Sequence, residues 1–162
     1  MALRNIVTEG DPILLKKCRP VEKFDKKLHD LIDDMVETLH HSGGVGLAAP
    51  QVGIMRRICV IDVGDGPIEF VNPEIVDTAG DQEVQEGCLS CPGEFGIIHR
   101  PAYVQAKFFD RNGNERYIEG TELFAQAMCH EFDHLDGILF KTKVDRMLTE
   151  EELAEMREEE EE

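Results

Sequence analysis

A short segment near the C-terminal end of the chain, HEFDH, has the residue types and spacing of a hydrolytic metal site. Its two histidines, His130 and His134, are four residues apart, so on a helix both imidazoles share one face and can bind one metal ion. Glu131 then lies beside an open coordination position, where a carboxylate can take a proton from metal-bound water. The spacing therefore predicts metal-assisted hydrolysis.

Two imidazoles are one ligand short of the three that a catalytic metal usually receives from the protein. A third histidine downstream is excluded, because His134 is the last histidine of the chain. Residues 150–152 are glutamates, but they lie in an acidic tail without an apolar framework to aim them. Cys88, in the upstream segment EGCLSCPG, is the predicted third ligand. A Cys, His, His set leaves the fourth position open for water.

A closed structural zinc site is a competing interpretation. Cys88 and Cys91 form a C-x-x-C pair, and His130 and His134 would complete four ligands. Zinc-finger modules place about 12 to 15 residues between the two halves, whereas 38 residues intervene here. A closed site also leaves Glu131 without a role, so we interpret Cys91 as a packing residue. A zincin-like endopeptidase, which cuts unblocked peptides internally, also stays open on the HEFDH motif.

Two amphipathic helices are predicted around these residues. Apolar residues with helical spacing predict a first helix that Asp25 caps and that ends at Gly43 and Gly44. The HEFDH motif belongs to a second predicted helix, from Thr121 to about Asp136, which Gly137 ends. The second helix would therefore carry both histidines and the glutamate.

Short strands are predicted for the middle of the chain. Short segments of β-branched and aromatic residues are separated there by Gly, Pro, Asn and Asp. Asn112 and Gly113 form the strongest hairpin signal, so the middle is expected to be mostly antiparallel. The predicted strands are Arg57–Val63, Ile68–Val71, Val104–Phe109 and Glu115–Glu119.

Length and charge limit the classes of function. With 162 residues and 18.3 kDa, the chain suits one domain, and no apolar run approaches the roughly 18 residues needed to cross a bilayer. Lys and Arg number 17 against 34 Asp and Glu, and the net charge of −17 disfavours nucleic-acid binding. Five cysteines without a secretory signal indicate reduced thiols or metal ligands, and hence a cytoplasmic location.

The acidity is concentrated at the C-terminus. We predict a catalytic domain over residues 1–148 and an acidic tail over residues 149–162. Thr149 and Glu152 form a capping-box pattern, which predicts a short helix that frays where like charges crowd together. The tail is expected to stay solvated.

Three segments in this order, GVGLAAPQ (44–51), EGCLS (86–90) and HEFDH (130–134), resemble the three signature motifs of the peptide deformylase family. The resemblance implies an α+β fold, with antiparallel or mixed β-sheets packed around a central metal-binding helix that carries the His-Glu-x-x-His motif. It also implies a hydrolase that removes the N-formyl group from the formyl-methionine of newly made polypeptides. Formate would be released, with metal-bound water as the nucleophile.

The resemblance assigns the metal centre to residues of this chain. Cys88, His130 and His134 would ligate one divalent ion per chain. That ion would natively be Fe(II), and Zn, Ni or Co could replace it. Glu131 would act as general base and then as general acid.

The resemblance also assigns the substrate contacts. Gln51 and the backbone N–H of Leu89 would hydrogen-bond the formyl oxygen as it becomes an oxyanion. Val45, Gly46 and Leu89 would line the pocket for the methionine side chain. The peptide backbone would pair in extended form with residues 44–46.

The implied partners follow from the same resemblance. The substrates would be N-formyl-Met nascent peptides, which the enzyme would meet in transient proximity to the ribosome. The protein would be a monomer. It would bind neither a membrane nor, directly, nucleic acid. An acidic tail makes docking onto ribosomal RNA through this end unfavourable. Any ribosome contact therefore needs another surface.

Overall fold

Two antiparallel sheets and three α-helices form the fold of residues 2–161, which are those that the structure, a computed structural model, describes. The predicted α+β class is confirmed. The helices are α1 (Lys26–Ser42), α2 (Glu122–Leu135) and α3 (Glu150–Glu161), and the strands are β1 (Gly46–Ala48), β2 (Ile58–Ile61), β3 (Ile68–Ala79), β4 (Gln82–Cys88), β5 (Cys91–Arg100), β6 (Tyr103–Phe109), β7 (Glu115–Thr121) and β8 (Arg146–Met147).

The two sheets differ in size. The larger has the strand order β1-β2-β3-β6-β7, and the smaller has the order β4-β5-β8. Every pair of these strands is antiparallel, as the sequence predicts. Because β1 is an edge strand, its outer side is not paired within the larger sheet.

Helix α1 begins and ends where the sequence predicts. The side chain of Asp25 accepts a hydrogen bond from the backbone N–H of Leu28 at 3.1 Å, which satisfies an amide of the first turn. Gly43 ends the helix with φ 74°, a left-handed conformation that glycine adopts without steric cost. The chain therefore leaves α1 directly into β1.

Helix α2 packs between the two sheets. It contacts β1, β2, β6 and β7 of the larger sheet and β5 of the smaller one. The ring of Phe132 on α2 meets that of Phe70 on β3 edge-on, with centroids 5.4 Å apart. The helix ends at Leu135, and Gly137 follows with φ 75°. The predicted boundaries, Thr121 to about Asp136, are therefore confirmed within one residue.

Strand β3 is longer than predicted. The predicted strand ends at Val71 because Pro73 lacks the N–H that a central strand would use. The structure continues the strand through irregular pairing with β6, with register shifts between Val71 and Glu74 and a left-handed Asn72 at φ 51°. A β-bulge accommodates the proline, so the strand continues to Ala79.

Other strand boundaries match more closely. β2 is shorter than the predicted Arg57–Val63, whereas β6 and β7 agree with their predicted ranges within two residues. The predicted turn joins β6 to β7, since the N–H of Asp110 bonds the carbonyl of Asn114 at 3.0 Å around Asn112 and Gly113.

The β4–β5 hairpin is a feature that the sequence analysis did not predict. Gly87, Pro92, Gly93 and Gly96 interrupt the β-branched pattern here, and such residues are rare in strands. The pairing nevertheless runs from Gln82 opposite Arg100 to Cys88 opposite Cys91. This hairpin places Cys88 at the end of a paired strand.

The acidic tail forms helix α3. The predicted capping box is present: the Thr149 N–H donates to Glu152 Oε1 at 3.0 Å, and the Glu152 N–H donates to Thr149 Oγ1 at 3.1 Å. The helix is longer than the short one predicted, and Arg146 pairs with Glu152 at 2.8 Å. Within residues 2–161 no helix has the length and apolar character to span a membrane.

Candidate metal centre

One turn of α2 presents three chemically active side chains to the interior. His130, Glu131 and His134 are all buried, and the two imidazole centroids lie 4.9 Å apart. Burial, with a further contribution from the nearby His130, lowers the pKa of His134 well below its ordinary value. His134 is therefore held in the neutral form that can bind a metal ion.

Cys88 faces these histidines from the end of β4. Its Sγ lies 3.3 Å from Nε2 of His134, and one ligand atom from each of Cys88, His130 and His134 lies within 4.8 Å of the others. The preceding Gly87 has no room for a side chain, because a Cβ there would lie 2.5 Å from the ring of Phe95. The structure thus brings the three predicted ligands together.

Cys91 lies outside this three-ligand cluster. Among residues 2–161, Cys91 is not part of the group formed by Cys88 and the two histidines. It lies instead with Glu9 and Glu94. Lys141 donates to both of those carboxylates, at 2.9 Å and 3.1 Å. Burial, reinforced by Cys88, raises the pKa of Cys91 to about 12. Cys91 is therefore a buried neutral thiol, and these residues do not assemble the four-ligand zinc site.

A buried ionic network orients the ring of His130. Glu86 accepts a hydrogen bond from Nδ1 of His130, and Arg100 donates to both oxygens of Glu86. Asp133 holds Arg100 from the other side at 2.9 Å. Burial opposes ionisation of Glu86, but the bonds from His130 and Arg100 outweigh it and hold its pKa at about 2. With Nδ1 engaged, Nε2 of His130 points toward Glu131, whose Oε2 lies 3.8 Å away.

Glu131 is a carboxylate in a confined space. Its Oε1 is buried and has no hydrogen-bond partner among the described residues. Burial raises its pKa to about 7, against the opposing influence of His130. Gly46 borders it closely, because a Cβ at that position would lie 2.5 Å from Oε2 of Glu131. A carboxyl group with such a pKa can exchange protons near neutral pH.

Gln51 lies beside Cys88 with its amide fixed. Residues Ala49–Val52 form a 3-10 turn, and Oε1 of Gln51 accepts from the backbone N–H of Ala48 at 2.9 Å. Its Nε2 donates to Ser90 Oγ at 3.1 Å and to Cys88 Sγ at 3.5 Å. The donor end of the amide therefore points toward the cluster.

The cluster opens into a cleft of about 480 Å³. All of the predicted pocket residues line it: Val45 is 37% exposed, Gly46 borders Glu131, and Leu89 is half-buried. Gly44 is in close contact with Leu89, since a Cβ there would lie 2.9 Å from Leu89 Cδ1. The cleft also includes residues that the sequence analysis did not single out: Gln85, Pro92, Gly93, Phe95, Leu123, Gln126 and Ala127.

Sequence reasoning also missed two residues of the buried network. Asp133 stands inside the HEFDH motif, so its position was a usable signal. Arg100 gave none, because an arginine at a strand end is ordinarily exposed. Its burial, with only 4% of the side chain accessible, becomes visible only when β5 packs against α2.

Comparison with known proteins decides the family. The family model described as Polypeptide deformylase matches residues 3–150. The chain belongs to the polypeptide deformylase family. A peptide deformylase from Agathobacter rectalis is 56% identical over 148 residues, which are 91% of this chain and 94% of that protein. One from Caldanaerobacter subterraneus is 51% identical over 158 residues, covering 98% and 99% of the two chains.

Solved deformylase structures share the fold. The crystal structure of peptide deformylase from Thermotoga maritima is 42% identical, with a TM-score of 0.87 over 88% of this chain and 98% of that one. The Ehrlichia chaffeensis peptide deformylase, solved in complex with actinonin, is 37% identical, with a TM-score of 0.87 over 98% of this chain and 96% of that one. The predicted family and enzyme class are confirmed: the chain is a hydrolase of this family, whose members are metalloenzymes.

Proposed function

We propose that this chain removes the formyl group from the N-terminal formyl-methionine of newly made polypeptides, with water as the nucleophile at a divalent metal ion. One observation carries this proposal: ligand atoms of Cys88, His130 and His134 lie within 4.8 Å of one another, and Cys88 and His130 line a cleft. Glu131 supports it, because its unpartnered carboxylate oxygen lies beside that cluster.

The donor set fits the proposed ion. One thiolate and two imidazoles suit Fe(II), Zn(II), Ni(II) or Co(II), and three protein ligands leave a position for substrate or water. We propose Fe(II) as the native ion on the family resemblance, with the others as substitutes. When bound, such an ion lowers the pKa of a coordinated water and polarises a carbonyl. Cys88, His130 and His134 would hold it, and Glu86 would fix the ring of His130.

Glu131 is the proposed proton carrier. Its carboxylate would take a proton from the attacking water and then deliver it to the departing amine nitrogen, leaving formate and a free N-terminus. A pKa raised by burial to about 7 suits both steps, because the group can accept and release a proton near neutral pH. The glycine at position 46 allows this carboxylate its position, because a Cβ there would lie 2.5 Å from Oε2 of Glu131.

Gln51 and Leu89 are the proposed donors to the formyl oxygen. The Nε2 of Gln51 is already directed at Cys88, because the other end of its amide is held by Ala48. The backbone N–H of Leu89 follows Cys88 directly in the chain. Donors fixed before the reaction stabilise negative charge as it develops on the oxygen.

The substrate peptide would lie along the edge of the larger sheet. Val45, Gly46 and Leu89 line the cleft and would contact the methionine side chain. β1 is an edge strand, so an extended peptide could pair with its outer side through main-chain hydrogen bonds. This mode would tolerate variable sequences after the first residue.

The cellular setting is part of the proposal. We place the enzyme in the cytoplasm as a monomer, acting on nascent peptides near the ribosome without binding nucleic acid directly or entering a membrane. Residues 1–148 would form the catalytic domain, and residues 149–162 would be an acidic tail outside the chemistry.

Formate release tests this function. Fe(II)-loaded, anaerobically purified protein should release formate from formyl-Met-Ala-Ser, and chelator-treated protein should not. Acetyl-Met-Ala-Ser should be a poor substrate, because a narrow slot beside the cluster would admit a formyl hydrogen and exclude a methyl group by size. Absence of formate from fully metallated protein would contradict the proposal. Cleavage of unblocked casein fragments would instead favour an endopeptidase.

A further inference from the structure

The second large cavity of the protein is a groove with a basic rim. It has a volume of about 820 Å³ and lies between the entry to α1 and the loop that follows the 3-10 turn of Gln51. The exposed side chains of Arg19, Lys23, Lys27 and Arg56 form its rim. We call it the basic groove, and it shares no lining residue with the catalytic cleft.

The cations of this groove are unusual for the molecule. Most Lys and Arg side chains of the chain have a carboxylate oxygen within 4.0 Å. In residues 2–161 none of the four rim cations has one within that distance. The neighbouring Lys16 and Lys17 also lack such a partner. Among residues 2–161, six of the seven Lys and Arg side chains without such a partner therefore line the groove or lie near it in the chain, and the seventh is Arg157 on α3.

Two carboxylates also line the groove, and their negative charge reduces its net positive charge. Asp25 is engaged as the N-cap of α1 through the N–H of Leu28. Glu22 is exposed, and its side chain makes no ion pair with a described residue. The four rim cations outnumber these two carboxylates, so the groove keeps an excess of positive charge, which an anionic ligand would offset.

The framework of the groove is ordered. The backbone carbonyl of Arg19 accepts from the N–H of Arg57 at 3.0 Å, which ties the two walls together. Asn72 holds the next stretch through two bonds with the backbone of Val21, at 2.8 Å and 2.9 Å. The rim cations thus project from a backbone whose positions are fixed, which lowers the entropy cost of binding.

The floor of the groove is aliphatic. Val21 and Leu28 are buried there, and Ile54 and Met55 are half-buried and accessible from the groove. An apolar centre with a polar, Arg-containing rim is the arrangement of protein–protein interfaces. No aromatic residue lines the groove among those described, so it lacks the stacking platform that single-stranded nucleic acids use.

We propose that the basic groove binds an acidic segment of another protein, in which aliphatic side chains alternate with carboxylates. The aliphatic side chains would cover Ile54 and Met55, and the carboxylates would pair with the rim cations. A short peptide suits this site better than RNA, because a long polyanion would also meet the field of a molecule with a net charge of −17.

The test selects binders from a random-peptide display library on the full-length, metal-loaded protein. Selected peptides are synthesised with a fluorescent label and measured by anisotropy. Two variants probe the groove: Lys23→Glu reverses a rim charge, and Met55→Gln makes the floor polar. Arg157→Glu is the control, because it makes the same change in net charge on α3, away from the groove. Thermal melts check that each variant is folded.

The expected peptides are rich in Asp, Glu, Leu, Ile and Val. Their Kd should rise about tenfold in Lys23→Glu and by a similar factor in Met55→Gln, and stay unchanged in Arg157→Glu. High salt should weaken binding. The proposal is overturned if no selected peptide depends on Lys23. It is also overturned if Lys23→Glu weakens binding, Met55→Gln does not, and a single-stranded RNA competes as well as the peptides, since the groove would then be a general polyanion site.

Discussion

The chemistry of the metal centre depends on which atom each side chain has already engaged. Nδ1 of His130 is bonded to Glu86, so Nε2 is the atom that remains for a metal. Oε1 of Gln51 is bonded to Ala48, so its Nε2 points toward Cys88. These second contacts fix tautomer and orientation before a substrate arrives, which avoids reorganisation during the reaction.

The two cysteines of the C-x-x-C pair should behave differently. We expect Cys88→Ala to lower the affinity for Fe(II) or Zn(II) by more than about 100-fold, because one of the three proposed protein ligands is lost. Cys91→Ala should keep the metal, because its thiol lies with Glu9 and Glu94 instead. Metal content after dialysis against a series of chelator concentrations measures the metal affinity of both variants. Equal loss in the two variants would show that Cys91 is a ligand.

Gln51 should contribute mainly to the rate. We expect Gln51→Leu to lower kcat for formyl-Met-Ala-Ser by about 10²-fold to 10³-fold, as loss of one oxyanion donor does. Ser90→Ala is the matched control, since it removes the Oγ that accepts from Gln51 but leaves Nε2 in place. Steady-state kinetics separate the effect on kcat from the effect on KM. An effect of Gln51→Leu on KM alone would rule out the oxyanion role.

At the level of elements, the site is assembled from pieces that are distant in the chain. α2 supplies the histidines, and the β4–β5 hairpin supplies Cys88. The N-terminal segment joins two of the site loops, because the N–H of Val7 bonds the carbonyl of Gln51 at 2.8 Å and the N–H of Glu9 bonds that of Ser90 at 2.8 Å. This segment therefore acts as a strap across the oxyanion side of the site.

Shortening this strap in two steps tests its role. Deletion of residues 2–6 removes the contacts of Ala2 and Arg4 with α1 but keeps Val7 and Glu9, so we expect lower thermal stability and an unchanged kcat. Deletion of residues 2–9 should in addition lower kcat about tenfold with metal retained, because small misplacements of catalytic groups are costly. If both deletions leave the same kcat in folded protein, the strap does not position the site.

The sequence predicts the helices well because their signals are local. Asp25 caps α1 through its side chain, and Gly43 and Gly137 end α1 and α2 through left-handed backbone conformations, so each signal acts on neighbouring residues of the chain. The β4–β5 hairpin escapes prediction because its glycines and Pro92 are tolerated only through pairing and packing with distant residues. Its pairing is a tertiary effect.

The residues of the candidate site also divide into those that local signals predict and those that depend on tertiary packing. His130 and His134 are predicted from spacing on a single helix, and Cys88 follows from a ligand count and the resemblance. Arg100 and its partner Glu86 form a buried ion pair whose members are 14 residues apart. Burial of a charge depends on what packs around it, and no local pattern encodes that.

For the whole molecule, charge is distributed unevenly. The net charge is −17, with a glutamate-rich α3 at one end of the chain and four cations without a carboxylate partner among residues 2–161 lining the basic groove. The catalytic cleft and the basic groove have separate linings. Chemistry and partner binding can therefore be altered independently.

Removal of residues 149–162 tests the proposed domain division. We expect the truncated protein to bind metal and keep kcat, because the tail contacts the rest through the exposed Arg146–Glu152 pair and a contact between Gln85 and Met156. Because an exposed ion pair adds little to stability, Tm should fall by no more than about 4 °C. Differential scanning calorimetry and formate release check this. Loss of metal or of folding would place the tail inside the catalytic domain.

The most direct test of the central claim is formate release by the Fe(II)-loaded wild type and Glu131→Gln, with metal content measured on the same samples. The substitution keeps the shape of the side chain and removes the proton carrier. We predict equal metal content and a kcat lower by about 10²-fold to 10⁴-fold, the usual contribution of general acid–base catalysis. A fully metallated Glu131→Gln protein that releases formate at the wild-type rate would contradict the account.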